Sequence, residues 1–324
     1  MKIKRILAGV CAFALLASSV LSLGSCSTGQ KDKYVVGISQ LVTHPALDAA
    51  TEGFKKALIE KLGEDKVEFV YQNAANQPDV CATIANGFVS SKVDLIMANG
   101  TAALQAAANA TLDIPILGTS ITEYGVALEI DNFTGTVGGN ISGTSDLAPL
   151  DEQAQMIIDL VPEAKTVGLL YCSAEPNSAY QVAEVRKYLE GKGLTCKDYK
   201  FSDSNDVTLI ATQAANECDA IYIPTDNTAA SSAEIINGAV LPTKTPIIAG
   251  EAGICEGCGI ATLSISYEAL GYVTGEMAAK VLTGEEKISE MPIAYDTNPV
   301  KKYNKTICDE LGIAAPEGYE ALGE

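Results

Sequence analysis

Short polar clusters are the residues best suited to chemistry in this 324-residue chain, and they recur at one kind of place. The first half offers Ser39-Gln40, Asn99-Gly100-Thr101 and Thr119-Ser120. The second half offers residues 173–178 (SAEPNS), Thr225-Asp226-Asn227 and Gly250-Glu251. Each follows a short apolar run, and several precede a helix-type pattern. Small polar and acidic side chains suit a site that holds its ligand by hydrogen bonds. A helix start adds free backbone N–H groups and a positive dipole end, both favourable to a carboxylate. Taken singly, each cluster also reads as an ordinary N-cap. Asp226 is the sharpest candidate, because Ile-Pro-Thr-Asp-Asn leaves a carboxylate at the mouth of an apolar run. Against a ligand ammonium such a group contributes on the order of 1.5–3 kcal/mol. Glu175 and Glu251 follow by the same logic.

Catalysis finds little support. His44 is the only histidine, so a Ser-His-Asp or Cys-His arrangement would depend on it alone. Its place beside Pro45 fits a helix start or a cleft edge better. Residues 135–139 (GTVGG) lack the dinucleotide-binding spacing, and no P-loop occurs. Of nine cysteines, Cys81, Cys172, Cys196 and Cys218 sit in or beside apolar runs as small hydrophobes. Cys255-Glu-Gly-Cys258 is the only CxxC, open to a local disulfide but without the second pair or histidines that zinc requires. Binding is expected, with no catalytic residue, no cofactor and no metal.

What positions these clusters is a regular alternation of elements. Apolar residues at helical spacing (Leu47, Ala50, Phe54, Leu58) predict a helix over 45–62, with Thr43 as its cap and Pro45 in its first turn. Strands are expected at 34–39, 67–71, 93–98 and 114–117, with helices at 77–91 and 101–110 between them. The second half repeats the pattern: strands at 166–171, 194–199, 220–223 and 246–249, helices at 178–190, 206–216 and 227–237. Alternation of this kind implies parallel sheets with right-handed crossovers, hence two doubly wound α/β lobes. In such sheets ligands bind beyond the carboxyl ends of the strands, where the polar clusters lie. The Gly-, Ser- and Thr-rich stretch 135–151 reads as the crossing between lobes. A strand at 260–265, a helix at 267–282, a run at 291–295 and a last helix around 300–311 imply further crossings and a hinge of several strands. The division expected is 34–140 plus about 266–290 for lobe one, and 141–265 plus about 291–324 for lobe two.

Formal charge is −19, and −22 without the first 25 residues, whose only charges are Lys2, Lys4 and Arg5. That acidity disfavours nucleic acid as a partner, since phosphates need Lys and Arg. Hydrophobic residues make up 47% of the chain, enough for substantial cores. The basic start, the apolar run 6–20 and Leu23-Gly24-Ser25-Cys26 form a secretory signal of bacterial lipoprotein pattern. Cys26 is the expected lipidation site, and 26–33 a tether to the membrane.

The segments VGISQLVTHPALDAATEGF, PILGTSIT, GTSDLAP, LLYCSAEPNS, AIYIPTDNT and PIIAGEAG together resemble the solute-binding lipoproteins of ABC importers, in the tryptophan/aromatic amino-acid-type group. This family is related to the type I periplasmic binding proteins. The resemblance implies two hinged lobes that close on a small ligand, an amino acid and an aromatic one in particular, for delivery to a membrane permease. It implies an extracytoplasmic, lipid-anchored monomer. It places Gln40, Asn99, Thr101, Thr119 and Ser120 on the first lobe's wall, and Asn177, Ser178, Asp226 and Glu251 on the second's. Asp226 is then the ammonium partner, and Ser142, Thr144, Ser145 and Asp146 lie at the hinge and cleft floor. The chain has no Trp to offer an aromatic ligand a flat wall; Tyr124 or Tyr267 could serve. Two other readings stay open: a binding lipoprotein of a sensory or adhesin system, and an importer receptor for a nucleoside or sugar.

Overall fold

The computed structural model describes residues 33–296 and 298–323. The expected signal segment, Cys26 and nearly all of the tether lie outside the described residues. Among the described residues, no helix is long and apolar enough to cross a membrane.

The β-branched runs form two sheets. The first contains β1 (Tyr34–Gln40), β2 (Val67–Asn73), β3 (Leu95–Asn99), β4 (Ile116–Ile121), β5 (Ile141–Ser145) and β11 (Ala294–Tyr295), in the order β11-β5-β4-β3-β1-β2. Every pairing in it is parallel. The second contains β6 (Thr166–Cys172), β7 (Thr195–Phe201), β8 (Ala220–Ile223), β9 (Ile247–Ala249), β10 (Ala261–Ser264), β12 (Val300–Tyr303) and β13 (Glu320–Ala321), in the order β13-β12-β10-β9-β8-β6-β7. Its pairings are parallel except β10 with β12. The first five strands of each sheet follow the same doubly wound order, so the strand order reverses between β1 and β3 in one lobe and between β6 and β8 in the other.

Helices α1 (Pro45–Leu62), α2 (Pro78–Ser91), α3 (Thr101–Ala110) and α4 (Tyr124–Ala127) follow the strands of the first sheet. Helices α5 (Leu150–Leu160), α6 (Pro176–Gly191), α7 (Val207–Glu217), α8 (Asn227–Ala230), α9 (Ala233–Val240) and α10 (Ala252–Cys258) belong with the second. The chain then returns through α11 (Tyr267–Thr283) to the first lobe and ends with α12 (Lys305–Leu311) in the second. It therefore crosses three times: after β5, after β10 and after β11. The hinge is thus built of three chain segments.

Several expectations need correction. Residues 141–145 form a strand of the first sheet, one strand beyond the expected boundary, and 294–295 join that sheet too. The small residues that made this stretch look like a linker are there because the strand lies close-packed. A Cβ on Gly143 would come within 2.0 Å of the Gly118 carbonyl oxygen. The hydroxyls are paired: Ser142 Oγ donates to the Met291 carbonyl at 3.0 Å, and Thr144 Oγ1 lies 2.8 Å from Thr274 Oγ1. Residues 300–303 are a strand rather than the start of the last helix, which Asn304 caps. The helix expected over 227–237 is broken into α8 and α9 at Ser231-Ser232. Helices α5 and α10, which periodicity did not reveal, complete the second lobe. The N-cap of α1 is His44, whose side chain makes no capping bond, while Thr43 Oγ1 accepts from Asn73 Nδ2. Cys255 and Cys258 are free thiols buried in α10.

The first lobe is closed by α11 lying on α1. Phe54, Leu58 and Ala278 are buried at this interface with strand residues Ile38 and Met97. Backbones meet at glycine: a Cβ on Gly271 would lie 1.9 Å from the Ala50 carbonyl oxygen, one on Gly53 2.1 Å from that of Glu268, and one on Gly275 2.5 Å from that of Phe54. Since carbonyl oxygens cannot move aside, Gly271→Ala is expected to force the helices apart and cost about 1–3 kcal/mol. Gly87→Ala, in open space on α2, should instead stabilise by about 0.5–1 kcal/mol. Urea unfolding of both variants checks this; equal effects would contradict the close-packing reading.

Candidate functional site

The carboxyl ends of both sheets face one another across the hinge, and the segments leaving them enclose a small cavity of about 10 Å³, room for about one water. From the first lobe come His44 and Leu47 after β1, Ser120 and Thr122 at the end of β4, and Asp146 after β5. From the second come Asn177, Thr225, Asp226, Asn227, Ala230 and Glu251, with Tyr267 at the start of α11. No Lys or Arg among the described residues lines it. Side chains bond directly across the cleft. His44 Nε2 lies 3.2 Å from Asn227 Oδ1, and Asn76 Nδ2 donates to Thr228 Oγ1 at 2.8 Å. The lobes are therefore shut.

Three buried carboxylates surround the cavity, each held by a different local device. Asp226 caps α8 by accepting the Ala229 N–H at 2.8 Å, and its other oxygen accepts the Cys172 N–H at 2.7 Å. Glu251 caps α10 through the N–H groups of Gly253 and Ile254. Asp146 lies on the first crossing, 4% exposed, and accepts from the Tyr267 hydroxyl at 3.0 Å. That bond ties the first crossing to the second. Burial pushes the Asp146 carboxyl up to about 6, with the Tyr267 and Thr122 hydrogen bonds opposing and the Glu251 charge adding. Burial likewise raises Asp226, with the Glu175 carboxylate as the second cause. Glu251 is raised by burial, against the N–H bonds it accepts from Gly253 and Ile254.

Among the described residues, six buried side-chain polar atoms have no partner, and three of them lie here. They are Asp146 Oδ1, Ser120 Oγ and His44 Nδ1, and all three residues line the cavity. A buried polar atom without a partner costs about 1–3 kcal/mol, so three in one place mark a site awaiting hydrogen bonds. Ser120 adds strain: its φ of 54° is left-handed, where β4 shifts register against β5 between Gly118 and Ile121. A non-glycine residue held there costs on the order of 1–3 kcal/mol and is typical of a binding site.

The residues expected on the cleft wall divide into two layers. Ser120, Asp146, Asn177, Asp226 and Glu251 line the cavity. Gln40, Asn99, Thr101, Thr119, Ser145 and Ser178 are buried but stand behind it. Gln40 Oε1 accepts from Thr51 Oγ1 at 2.7 Å, and Asn99 Nδ2 donates to Thr51 Oγ1 at 3.0 Å and to the Leu47 carbonyl at 2.7 Å. They anchor α1, which carries Leu47 to the wall. Thr101 opens α3. Thr119 bonds Thr144, Ser145 Oγ donates to the Thr122 carbonyl at 2.8 Å, and Ser178 supports Asp226. Asp226 thus both caps α8 and lines the cavity, with its oxygens already engaged. Thr225 and Asn227 belong to an expected polar cluster but were not assigned to the wall; His44, Leu47, Thr122 and Ala230 were not among the expected ligand-binding residues. The position of His44, one residue before Pro45 and four after the end of β1, was the available signal for it.

Two larger depressions lie nearby. A groove of about 340 Å³ opens between the lobes beside Asn177, floored by Ala82, Ala102 and Ala106. The larger of the two, about 1000 Å³, lies at the hinge among Leu147, Pro149, Tyr180, Tyr188 and Tyr295. The polar clusters at the strand tips do not line that larger groove, so its size does not make it the site.

Comparison with known proteins agrees with this geometry. Residues 35–322 match the family described as ABC transporter substrate binding protein. A Tyrosine-binding protein of Clostridioides difficile (strain R20291) is 37% identical over 299 residues, spanning 89% of this chain and 85% of the relative. The crystal structure of an ABC domain from Streptococcus pneumonia in complex with L-Trp is 32% identical, with a TM-score of 0.85 over 90% of this chain and 100% of that one. A ligand-free, open substrate binding protein with adhesive properties from Clostridium difficile is 38% identical, with a TM-score of 0.68 over 89% and 99% of the two chains. The chain shares more sequence with the open structure and more shape with the Trp complex, in keeping with the bonds that join its lobes. Strand tips facing each other over a closed cavity, and a match covering nearly all the described residues, make this chain a member of the ABC transporter substrate-binding protein family, a binding protein and not an enzyme.

Proposed function

We propose that the cavity receives an amino acid with an aromatic side chain, and that the chain, anchored outside the cytoplasm by a lipid on Cys26, carries it to an ABC permease. The observation carrying this is Asp146 Oδ1, a buried carboxylate oxygen without a partner, in a cavity with two further carboxylates and no Lys or Arg. An ammonium supplies what that set lacks: positive charge and N–H donors. Asp146 is the better-placed partner for it, because both oxygens of Asp226 accept backbone N–H groups. The ligand carboxylate, an acceptor only, suits the Ser120 hydroxyl.

At about 10 Å³ the cavity is too small for any amino acid with its walls as they stand, so the ligand enters with the hinge open and the lining side chains shift to seat it as the lobes close. The alanine-floored groove beside Asn177 offers a smooth apolar strip for a ring in a chain without Trp. The tyrosine-binding relative and the Trp-bound structure support the aromatic assignment. The basic, apolar and small-residue run ending at Cys26 supports the lipid anchor.

Calorimetric titration with tyrosine, tryptophan and phenylalanine, against nucleosides and sugars, tests the ligand class; stabilisation by a nucleoside or sugar alone would sink it. Asp146→Asn is expected to weaken amino-acid affinity tenfold or more, by loss of a charged hydrogen bond worth about 1.5–3 kcal/mol. Acidity should act in the same direction. A bound ammonium favours ionised Asp146, whose carboxyl titrates near 6 in the free protein, so below that pH binding must expel a proton. Affinity measured at pH 5 should fall about tenfold below that at pH 7.5, and the fall should shrink in Asp146→Asn. A pH-independent affinity in the unsubstituted protein would exclude Asp146 as the ammonium partner.

A further inference from the structure

Glu175, 8% exposed at the head of α6, is surrounded by donors. Its Oε2 accepts the Asn227 backbone N–H at 3.0 Å and the Asn227 Nδ2 amide at 2.8 Å. Its Oε1 accepts the Thr228 backbone N–H at 2.9 Å and the Thr228 hydroxyl at 2.8 Å. A carboxylate can only accept, so the identity of every atom facing it is settled. Asn227 must turn its NH₂ toward Glu175, leaving Oδ1 to face the first lobe. Thr228 must spend its one hydroxyl proton on Glu175, leaving only lone pairs for the first lobe.

Both leftover acceptors meet donors across the cleft. Asn76 Nδ2 donates to Thr228 Oγ1 at 2.8 Å, from a residue held at φ 61°, a conformation asparagine tolerates. His44 Nε2 stands 3.2 Å from Asn227 Oδ1 and must carry the proton for that bond to form. In the neutral ring one nitrogen donates and the other accepts, so fixing the proton on Nε2 leaves the Nδ1 lone pair free. Nδ1 is buried without a partner, in a side chain 7% exposed that lines the cavity.

We propose that Glu175 is a positioning residue that sets the hydrogen-bond polarity of the closed cleft, fixing His44 as its Nε2–H tautomer so that Nδ1 accepts an N–H from the ligand. The inference rests on the amino-acid reading of the cavity and adds to it a second acceptor for the ammonium besides Asp146. Because the relay runs from Glu175 and Asn227 on one lobe to His44 on the other, it exists only when the lobes are shut. The acceptor is therefore oriented by the closing movement itself.

The chain holds one histidine, so ¹⁵N-histidine labelling gives a single imidazole to follow. With saturating L-tyrosine or L-tryptophan, the spectrum should show proton on Nε2 and a lone pair on Nδ1, whose resonance moves on titration of the ligand. Glu175→Gln should lose the single tautomer and weaken affinity about tenfold through faster dissociation. His44→Asn should weaken it by a similar factor with little change in the melting temperature of the free protein. Asn76→Ala and Thr228→Val, each breaking the second cross-cleft bond, should speed dissociation without changing the tautomer. Ligand binding by calorimetry with proton on Nδ1, or with an Nδ1 resonance that does not move, overturns the inference and leaves the amino-acid reading standing. A Glu175→Gln protein with lowered melting temperature but unaltered tautomer and dissociation rate also overturns it, reducing Glu175 to a cap. Failure of every amino acid to bind overturns the ligand reading instead.

Discussion

Three carboxylates held out of water around a single small cavity, with no Lys or Arg of the described residues on its wall, form the constraint on which the rest of the structure depends. Charges in that position are costly, which is why burial raises all three. An acid raised in the folded state contributes stability that is complete below its unfolded value, near 4, and is lost as pH rises through its folded value. For Asp146 the loss is complete above about 6. At neutral pH the closed, unliganded cleft is therefore held at some cost in stability, as is common at functional sites. A ligand that brings positive charge relieves it, so binding and closure draw on the same electrostatic source.

What keeps the carboxylates in place is local backbone geometry more than ion pairing. Asp226 and Glu251 are N-caps, their oxygens fixed by the N–H groups of α8 and α10. Asp146 is fixed by the crossing it sits on and by the Tyr267 hydroxyl. The ion pairs among the described residues lie at the surface, between Lys or Arg and acidic neighbours, where such pairs contribute little. The first lobe holds its shape through glycine-mediated contact of α1 with α11 and a chain of threonine hydroxyls, Thr119, Thr144 and Thr274. A rigid first lobe matters because two of the three crossings leave or enter the elements it clamps.

Much of this was legible in the sequence. Short apolar runs and period-3.6 patterns located most of the elements, and several of the polar clusters at strand ends lie at the cavity. Ser120, Asn177, Asp226 and Glu251 were found at the cavity because a residue that ends a strand and starts a helix lands at the site by topology. Gln40, Asn99 and Thr119 share that position in sequence but point to the layer beneath, since their side chains satisfy α1 and β5. Sequence position cannot distinguish a wall residue from its support. The stretch 141–145 was hidden for another reason: close packing against β4 and α11 demands Gly, Ser and Thr, the same residues that mark linkers. His44 was placed only at a helix start or cleft edge, because its contact with Asn227 runs between lobes, a relation that no local pattern encodes.

On the reading proposed above, the two lobes share one task, which is to bring acceptors from both sides to a ligand cation between them, with α/β architecture supplying the tips and the hinge supplying the approach. Charge on the ligand's nitrogen is the crux. Calorimetry comparing the best-binding L-amino acid with its desamino acid, identical except for the missing ammonium, isolates it. Loss of at least a hundredfold in affinity for the desamino compound, from removal of charge and donors together, is the expected result. Equal affinity for the two compounds would contradict recognition of a cation by the buried carboxylates.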